Sequence, residues 1–151
     1  MNMQIRSAVP ADLETLVQGN AAIARETEGK VLDETKLRAG VQAVLADPAK
    51  GRYFVATEGD QVIGQLMITL EWSDWRCGWF WWIQSVYVAP SARGKGVYRR
   101  LHEHARDQAR QAGDVIGLRL YVEDHNTAAR LTYQKVGMVP AGYRVMEQML
   151  S

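Results

Sequence analysis

The sequence is poor in the residues that would staple a chain or anchor it. Among 151 residues there is one cysteine, Cys77, so an intramolecular disulfide and a multi-cysteine zinc site are both excluded. A lone thiol fits a reducing compartment and reads as a small buried or half-buried residue rather than a nucleophile. No apolar run approaches the roughly 18 residues of a membrane helix, and the opening MNMQIRSAVPADLE lacks the apolar core of a secretion signal. Neither sign of charge dominates: 18 Lys+Arg stand against 17 Asp+Glu, for a net charge of +1. A chain so balanced has no global field for nucleic acid or an acidic membrane, so any anion site must be local. His102 and His104 sit in a helical stretch and His125 beside Asn126, and no metal constellation is present. What remains is a soluble, cytoplasmic chain of one domain, residues 1–151. At 47% hydrophobic it is far from the disordered range, and a chain this long buries roughly 70% of its extended surface.

Periodicity supplies the elements. Met3 to Ala8 reads as a strand, and Leu13, Leu16, Val17, Ala21 and Ala24 form one helical stripe in a segment from Pro10 to about Arg25. Asp33 caps a second helix carrying Leu37, Val41, Val44 and Leu45, which Asp47-Pro48 ends. Arg52–Thr57 and Val62–Trp72 read as strands joined by the turn residues Glu58-Gly59-Asp60-Gln61. Trp79 to Ala89 is almost continuously apolar, as a central strand covered on both faces would be. A helix from Gly94 to Ala112, a strand from Leu118 to Glu123, a helix from Asn126 to Val136 and a last strand from Gly142 to Leu150 follow. The order β-α-α-β-β-β-α-β-α-β is α/β or α+β, one sheet backed by helices.

The most informative stretch is Val86-Tyr87-Val88-Ala89-Pro90-Ser91-Ala92-Arg93-Gly94-Lys95-Gly96-Val97-Tyr98. A strand ends at a proline, and a two-glycine loop with Arg93, Lys95 and Arg99 near it opens directly into a helix. Unpaired N–H groups at a helix start, approached closely because glycine lacks Cβ, make a cradle for phosphate oxygens. Such a turn also serves packing, so on its own it leaves both readings open. Asn126, Ala129 and Tyr133 share one face of the later helix. There Asn126 is either a cap or a ligand contact, and Tyr133 either a core aromatic or a site group.

Together these two stretches resemble the GNAT acetyltransferase superfamily. Its acetyl-CoA site follows V-x-P-x-x-R-G-x-G and, later, N-x-x-A-x-x-x-Y-x-x-x-G-F/M; the chain has Val88, Pro90, Arg93, Gly94 and Gly96, then Asn126, Ala129, Tyr133, Gly137 and Met138. Residues 1–75 match only in element pattern. The resemblance implies a mixed, mostly antiparallel central sheet of six to seven strands flanked by four helices. It implies that the amides of Arg93, Gly94, Lys95, Gly96, Val97 and Tyr98 hold the pyrophosphate of coenzyme A. Val86 and Val88 would pair with its pantetheine arm, Asn126 and Ala129 would line that arm, and Tyr133 would stand near the sulfur. One position departs from the pattern: Tyr98 stands where the superfamily has glycine or alanine.

The implied reaction is attack of an amine on a thioester. A neutral phenol, with a pKa of about 10, can protonate a departing thiolate of pKa about 8.5, which is the role the resemblance gives Tyr133. The resemblance implies that the acceptor is a primary amine of a small molecule or peptide, and freeing a lysine-like amine of its proton at pH 7 costs about 4 to 5 kcal/mol. Many superfamily members carry an acid for this on the strand before the loop. Here Trp82 and Gln84 occupy the corresponding positions, and no Asp, Glu or His lies between Trp75 and Leu101. Either a base comes from elsewhere through water, with Glu26, Glu28, Asp74 and Glu123 as candidates, or the acceptor amine is itself weakly basic. All five tryptophans fall between Trp72 and Trp82; they are core or a homodimer face, or else an aromatic wall for the acceptor with Trp75 foremost. The rival to an enzyme is a non-catalytic acyl-CoA-binding sensor.

Overall fold

The computed structural model describes residues 2–151. Its elements are β1 (Met3–Ser7), α1 (Leu13–Glu28), α2 (Glu34–Ala46), β2 (Arg52–Glu58), β3 (Gln61–Ser73), β4 (Gly78–Val88), α3 (Val97–Ala112), β5 (Val115–Leu120) and α4 (Thr127–Lys135). Single 3₁₀ turns at Pro10–Asp12 and Pro90–Ala92 precede α1 and the loop before α3. The chain divides into two compact units, one running to Tyr121 and the other Val122–Ser151.

The first unit is a five-stranded sheet in the order β1-β2-β3-β4-β5, antiparallel at the first three junctions and parallel between β4 and β5. A parallel junction needs a crossover, and α3 supplies it. Successive strand residues point to opposite faces, and two glycines show what each face meets. A Cβ on Gly64 would press to 2.7 Å from Val97 Cγ1 of α3, whereas one on Gly19 of α1 would collide with the Gln65 side chain. So α3 lies against the Gly64 face and α1 against the Gln65 face. On the α1 side the core holds Leu16, Val17, Val41, Tyr53 and Val55; across the sheet, Leu66, Ile68 and Leu101 have no exposed surface. The missing side chain at Gly64 therefore lets the start of α3, and the loop before it, sit close on β3.

The second unit contains α4. Asn126 caps it, its side chain accepting the Ala129 N–H at 3.1 Å, and Gly137 follows it at φ 95°. None of the α4 residues is fully buried.

Two expectations are corrected. The sheet has five strands rather than six to seven, because Gly142–Leu150 carries no strand. A strand is held by a neighbour's ladder and an apolar face, and in this segment Val145-Met146 and Met149-Leu150 interrupt any alternation; Val145, Met146 and Leu150 are exposed. Cys77 is exposed, not buried. It turns the tip of the β3–β4 hairpin with φ 49°, a left-handed position set by the turn.

Candidate functional site

The end of β4 is where the sheet opens. β4 pairs with β5 only from Trp79 to Ile83, with Ile83 opposite Leu120, while on its other side it stays on β3 out to Val88. From Gln84 to Val88 the edge toward β5 therefore has no β5 partner; the Ser85 and Val88 carbonyls are taken by the Gln65 and Arg93 side chains, and the edge groups left over are offered as an edge strand offers them. Ser85 stands at the parting point with φ 51°, a conformation that costs a non-glycine residue roughly 1–3 kcal/mol. The β3–β4 register slips there, between Gln65 and Met67.

Buried polar groups hold this bulge. Gln65, 2% exposed, donates its amide to the Ser85 carbonyl at 3.3 Å. Tyr53 OH accepts the Asn20 amide at 3.2 Å, and the same Asn20 nitrogen donates to the Leu16 carbonyl at 2.9 Å, tying α1 into the network. Burial pushes the Tyr53 phenol above its ordinary pKa, with hydrogen bonds to Asn20 and Ser85 pulling the other way. Sequence reading missed these residues; the signal available was a glutamine inside the apolar run Val62–Thr69.

Beyond Val88 the loop has the shape that an anion cradle requires. Gly94 and Gly96 take φ 76° and 78°, and a Cβ on either would point into open space. The Arg93 N–H reaches back to Pro90 at 3.4 Å, and the Arg100 N–H finds the Gly96 carbonyl at 3.1 Å. Helix geometry leaves the amides ahead of such a first bond without an intrahelical acceptor. The Arg93 side chain is turned away from this loop: it donates to the Val88 carbonyl at 3.0 Å and to both Glu26 oxygens at 3.0 and 3.1 Å. Its guanidinium also lies 5.6 Å above the Tyr87 ring. This clamp joins the end of α1 to the loop. Beside it, a cavity of about 440 Å³ lies between α1 and the strands, with Gln18, Arg25, Gln65 and Tyr87 among its lining residues.

Tyr98, the departure from the superfamily pattern, has its ring inside the protein. It is 9% exposed, and its hydroxyl lies 3.0 Å from Nδ1 of His102, itself 2% exposed. Burial first, and then Arg106, hold the His102 imidazole below its ordinary pKa. A tyrosine is accommodated here because its side chain points away from the loop's outer surface.

In the second unit, Asn126 caps α4 and Tyr133 lies within its last turn. The cap uses the Asn126 side-chain oxygen, leaving its NH₂ group as the donor. Tyr133 is half-buried, and burial raises its phenol above the usual pKa, which keeps it protonated at neutral pH. The remaining candidates are dispersed. Glu28 pairs with Lys30 at 3.5 Å, and Asp74 receives the Trp75 N–H in the exposed hairpin tip, where Trp75 is 88% exposed. Gln84 donates to Thr69 Oγ1 at 2.7 Å. Among the described residues no group of His, Cys, Asp and Glu could hold a metal ion, and no helix is long and apolar enough to cross a membrane.

Comparison with known proteins places this geometry. A model of the Acetyltransferase (GNAT) family matches residues 20–138. A solved structure described as a possible acetyltransferase from Clostridium difficile 630 is 42% identical, with a TM-score of 0.93 over 100% of this chain and 99% of that one. An aminoalkylphosphonate N-acetyltransferase from Salmonella typhimurium strain LT2 is 28% identical over 110 residues, 73% of this chain and 68% of its own length. A predicted acetyltransferase from Clostridium acetobutylicum, solved with acetyl-CoA, shares the fold at 19% identity and a TM-score of 0.79, over 97% of this chain and 96% of that one.

Proposed function

The chain belongs to the GNAT acetyltransferase family, and on that footing we propose that it moves an acetyl group from acetyl-CoA to a primary amine by direct attack through a tetrahedral intermediate. One observation carries the reading: the β4 edge left open from Gln84 to Val88 runs straight into two left-handed glycines and a helix N-terminus. An extended arm that ends in a diphosphate matches that sequence of features. Val86 and Val88 pair with the pantetheine, and an amide near Val88 donates to the oxyanion; one such preorganised donor is worth about 2.7–4 kcal/mol. The amides of Arg93, Gly94, Lys95, Gly96, Val97 and Tyr98 hold the pyrophosphate, Arg93 giving up its long bond to Pro90. The Asn126 NH₂ group and the small Ala129 serve the same arm. Tyr133, kept neutral by burial, gives its proton to the departing thiolate. The acceptor is a small amine or a peptide amine, an assignment supported by the aminoalkylphosphonate enzyme among the relatives. The whole chain acts as one acetyltransferase domain.

Release of free thiol from acetyl-CoA in the presence of an amine panel tests this. We expect turnover, and in Tyr133→Phe a fall in kcat of about 10²-fold or more. Full turnover in that variant would remove Tyr133 from the mechanism. Acetyl-CoA binding without thiol release for any amine would leave the chain a non-catalytic sensor.

A further inference from the structure

Resting on the reading above, we propose that His102 is a positioning residue of the diphosphate cradle: through the Tyr98 hydroxyl it holds the first turn of α3 so that the Val97 and Tyr98 amides stay aimed at the ligand. The device starts from a tyrosine at the position where the superfamily pattern has glycine or alanine.

The amides that bind phosphate at a helix start are the ones no helical hydrogen bond holds. In α3 the Arg100 N–H reaches the Gly96 carbonyl at 3.1 Å, and the Val97 and Tyr98 amides lie ahead of that bond. Ahead of them again stand Gly94 and Gly96, both left-handed, at φ 76° and 78°, and glycine is the residue with the most backbone freedom to lose. Ordering such a segment at the moment of binding costs affinity, whereas a segment already fixed in the free protein avoids that cost.

Two adjacent side chains do the fixing. Val97 is buried against β3 where Gly64 has no side chain; a Cβ there would lie 2.7 Å from Val97 Cγ1. Tyr98 turns its ring inward and brings its hydroxyl to 3.0 Å from Nδ1 of His102, four residues further along the same helix. The two rings are 5.6 Å apart and tilted by 55°. His102 and its neighbour Leu101 are both buried, so the second turn of α3 is locked in the core, and the Tyr98–His102 bond extends that lock to the first turn. Burial keeps the imidazole uncharged, which leaves one ring nitrogen to accept from the hydroxyl. A hydrogen bond sheltered from water is stronger than an exposed one. His102 acts on a ligand only through Tyr98, and Tyr98 acts through its backbone.

Titration with acetyl-CoA and with acetyl pantetheine, which keeps the thioester arm and lacks the diphosphate, separates aim from general stability. In His102→Leu, which removes the ring nitrogens and keeps an apolar side chain in their place, acetyl-CoA should bind about tenfold more weakly. Acetyl pantetheine, followed by protein NMR to millimolar concentrations, should bind as it does to the parent. His102→Asn, whose side-chain amide can meet the hydroxyl near the Nδ1 position, should restore the parent's affinity for acetyl-CoA. Tyr98→Phe keeps the buried ring and should match His102→Leu, and the double variant should be no weaker than either single one, because each removes the same bond. Tyr98→Phe also carries the comparison of the two ligands if His102→Leu does not fold. Parent-like acetyl-CoA affinity in His102→Leu and Tyr98→Phe, equal weakening of both ligands, or losses that add in the double variant overturn this inference alone. A parent chain that binds acetyl-CoA no more tightly than acetyl pantetheine overturns both this inference and the reading beneath it.

Discussion

Asp12 shows what one side chain does at the junction of β1 and α1. Its oxygens take two bonds from Arg6, at 2.8 and 3.0 Å, and the Val9 N–H at 2.8 Å. The Arg6 hydrogen bonds, foremost, hold its carboxyl below the usual carboxylate range. A carboxyl depressed in the folded state stabilises the fold above its unfolded pKa, near 3.9, and that contribution is lost as pH falls through the lower folded value. Asp12→Asn should therefore cost about 1–3 kcal/mol at pH 7, and thermal melts should show the gap to the parent closing below about pH 4. Tyr98 and Cys77 mark the limit of legibility at this scale. A sequence gives a side chain's chemistry but not its direction, and the inward turn of Tyr98 and the outward turn of Cys77 depend on backbone angles fixed elsewhere.

At the scale of elements, what could be read was what repeats. The 3.6-residue stripe marked α1, α2 and α3, and the turn residues Glu58–Gln61 marked the β2–β3 hairpin, each within a few residues of its observed bounds. The end of β4's pairing with β5 was not legible. It arises from the left-handed Ser85 and from Gln65 and Tyr53, which meet only after β2, β3 and β4 assemble. Nor was the absent final strand, because forming one depends on a neighbour and not on composition. The loop before α3 offers a test by glycine pairs. Gly96→Ala and Gly113→Ala carry similar backbone strain, at φ 78° and 84°, and each should cost about 1–2 kcal/mol. Only the first places a methyl in the proposed diphosphate cradle, so isothermal titration should show acetyl-CoA affinity at least tenfold weaker in Gly96→Ala and unchanged in Gly113→Ala.

For the whole molecule, a net charge of +1 means that a polyanionic cofactor would be held by oriented amides and not by a general positive field. The expected signature is stabilisation by mass action. At a free acetyl-CoA concentration 100 times its Kd, the folded state gains about 2.7 kcal/mol, and differential scanning fluorimetry should show Tm rising by about 5–10 °C. Coenzyme-free acetyl phosphate, which lacks the long arm, should give no such rise. The sheet's order has a consequence for synthesis. Because β1 to β5 lie side by side in the order they leave the ribosome, each new strand meets an edge already waiting for it, and no early strand need stay open for a late one to insert between its neighbours. Such a chain can condense from its beginning onward while translation is still under way.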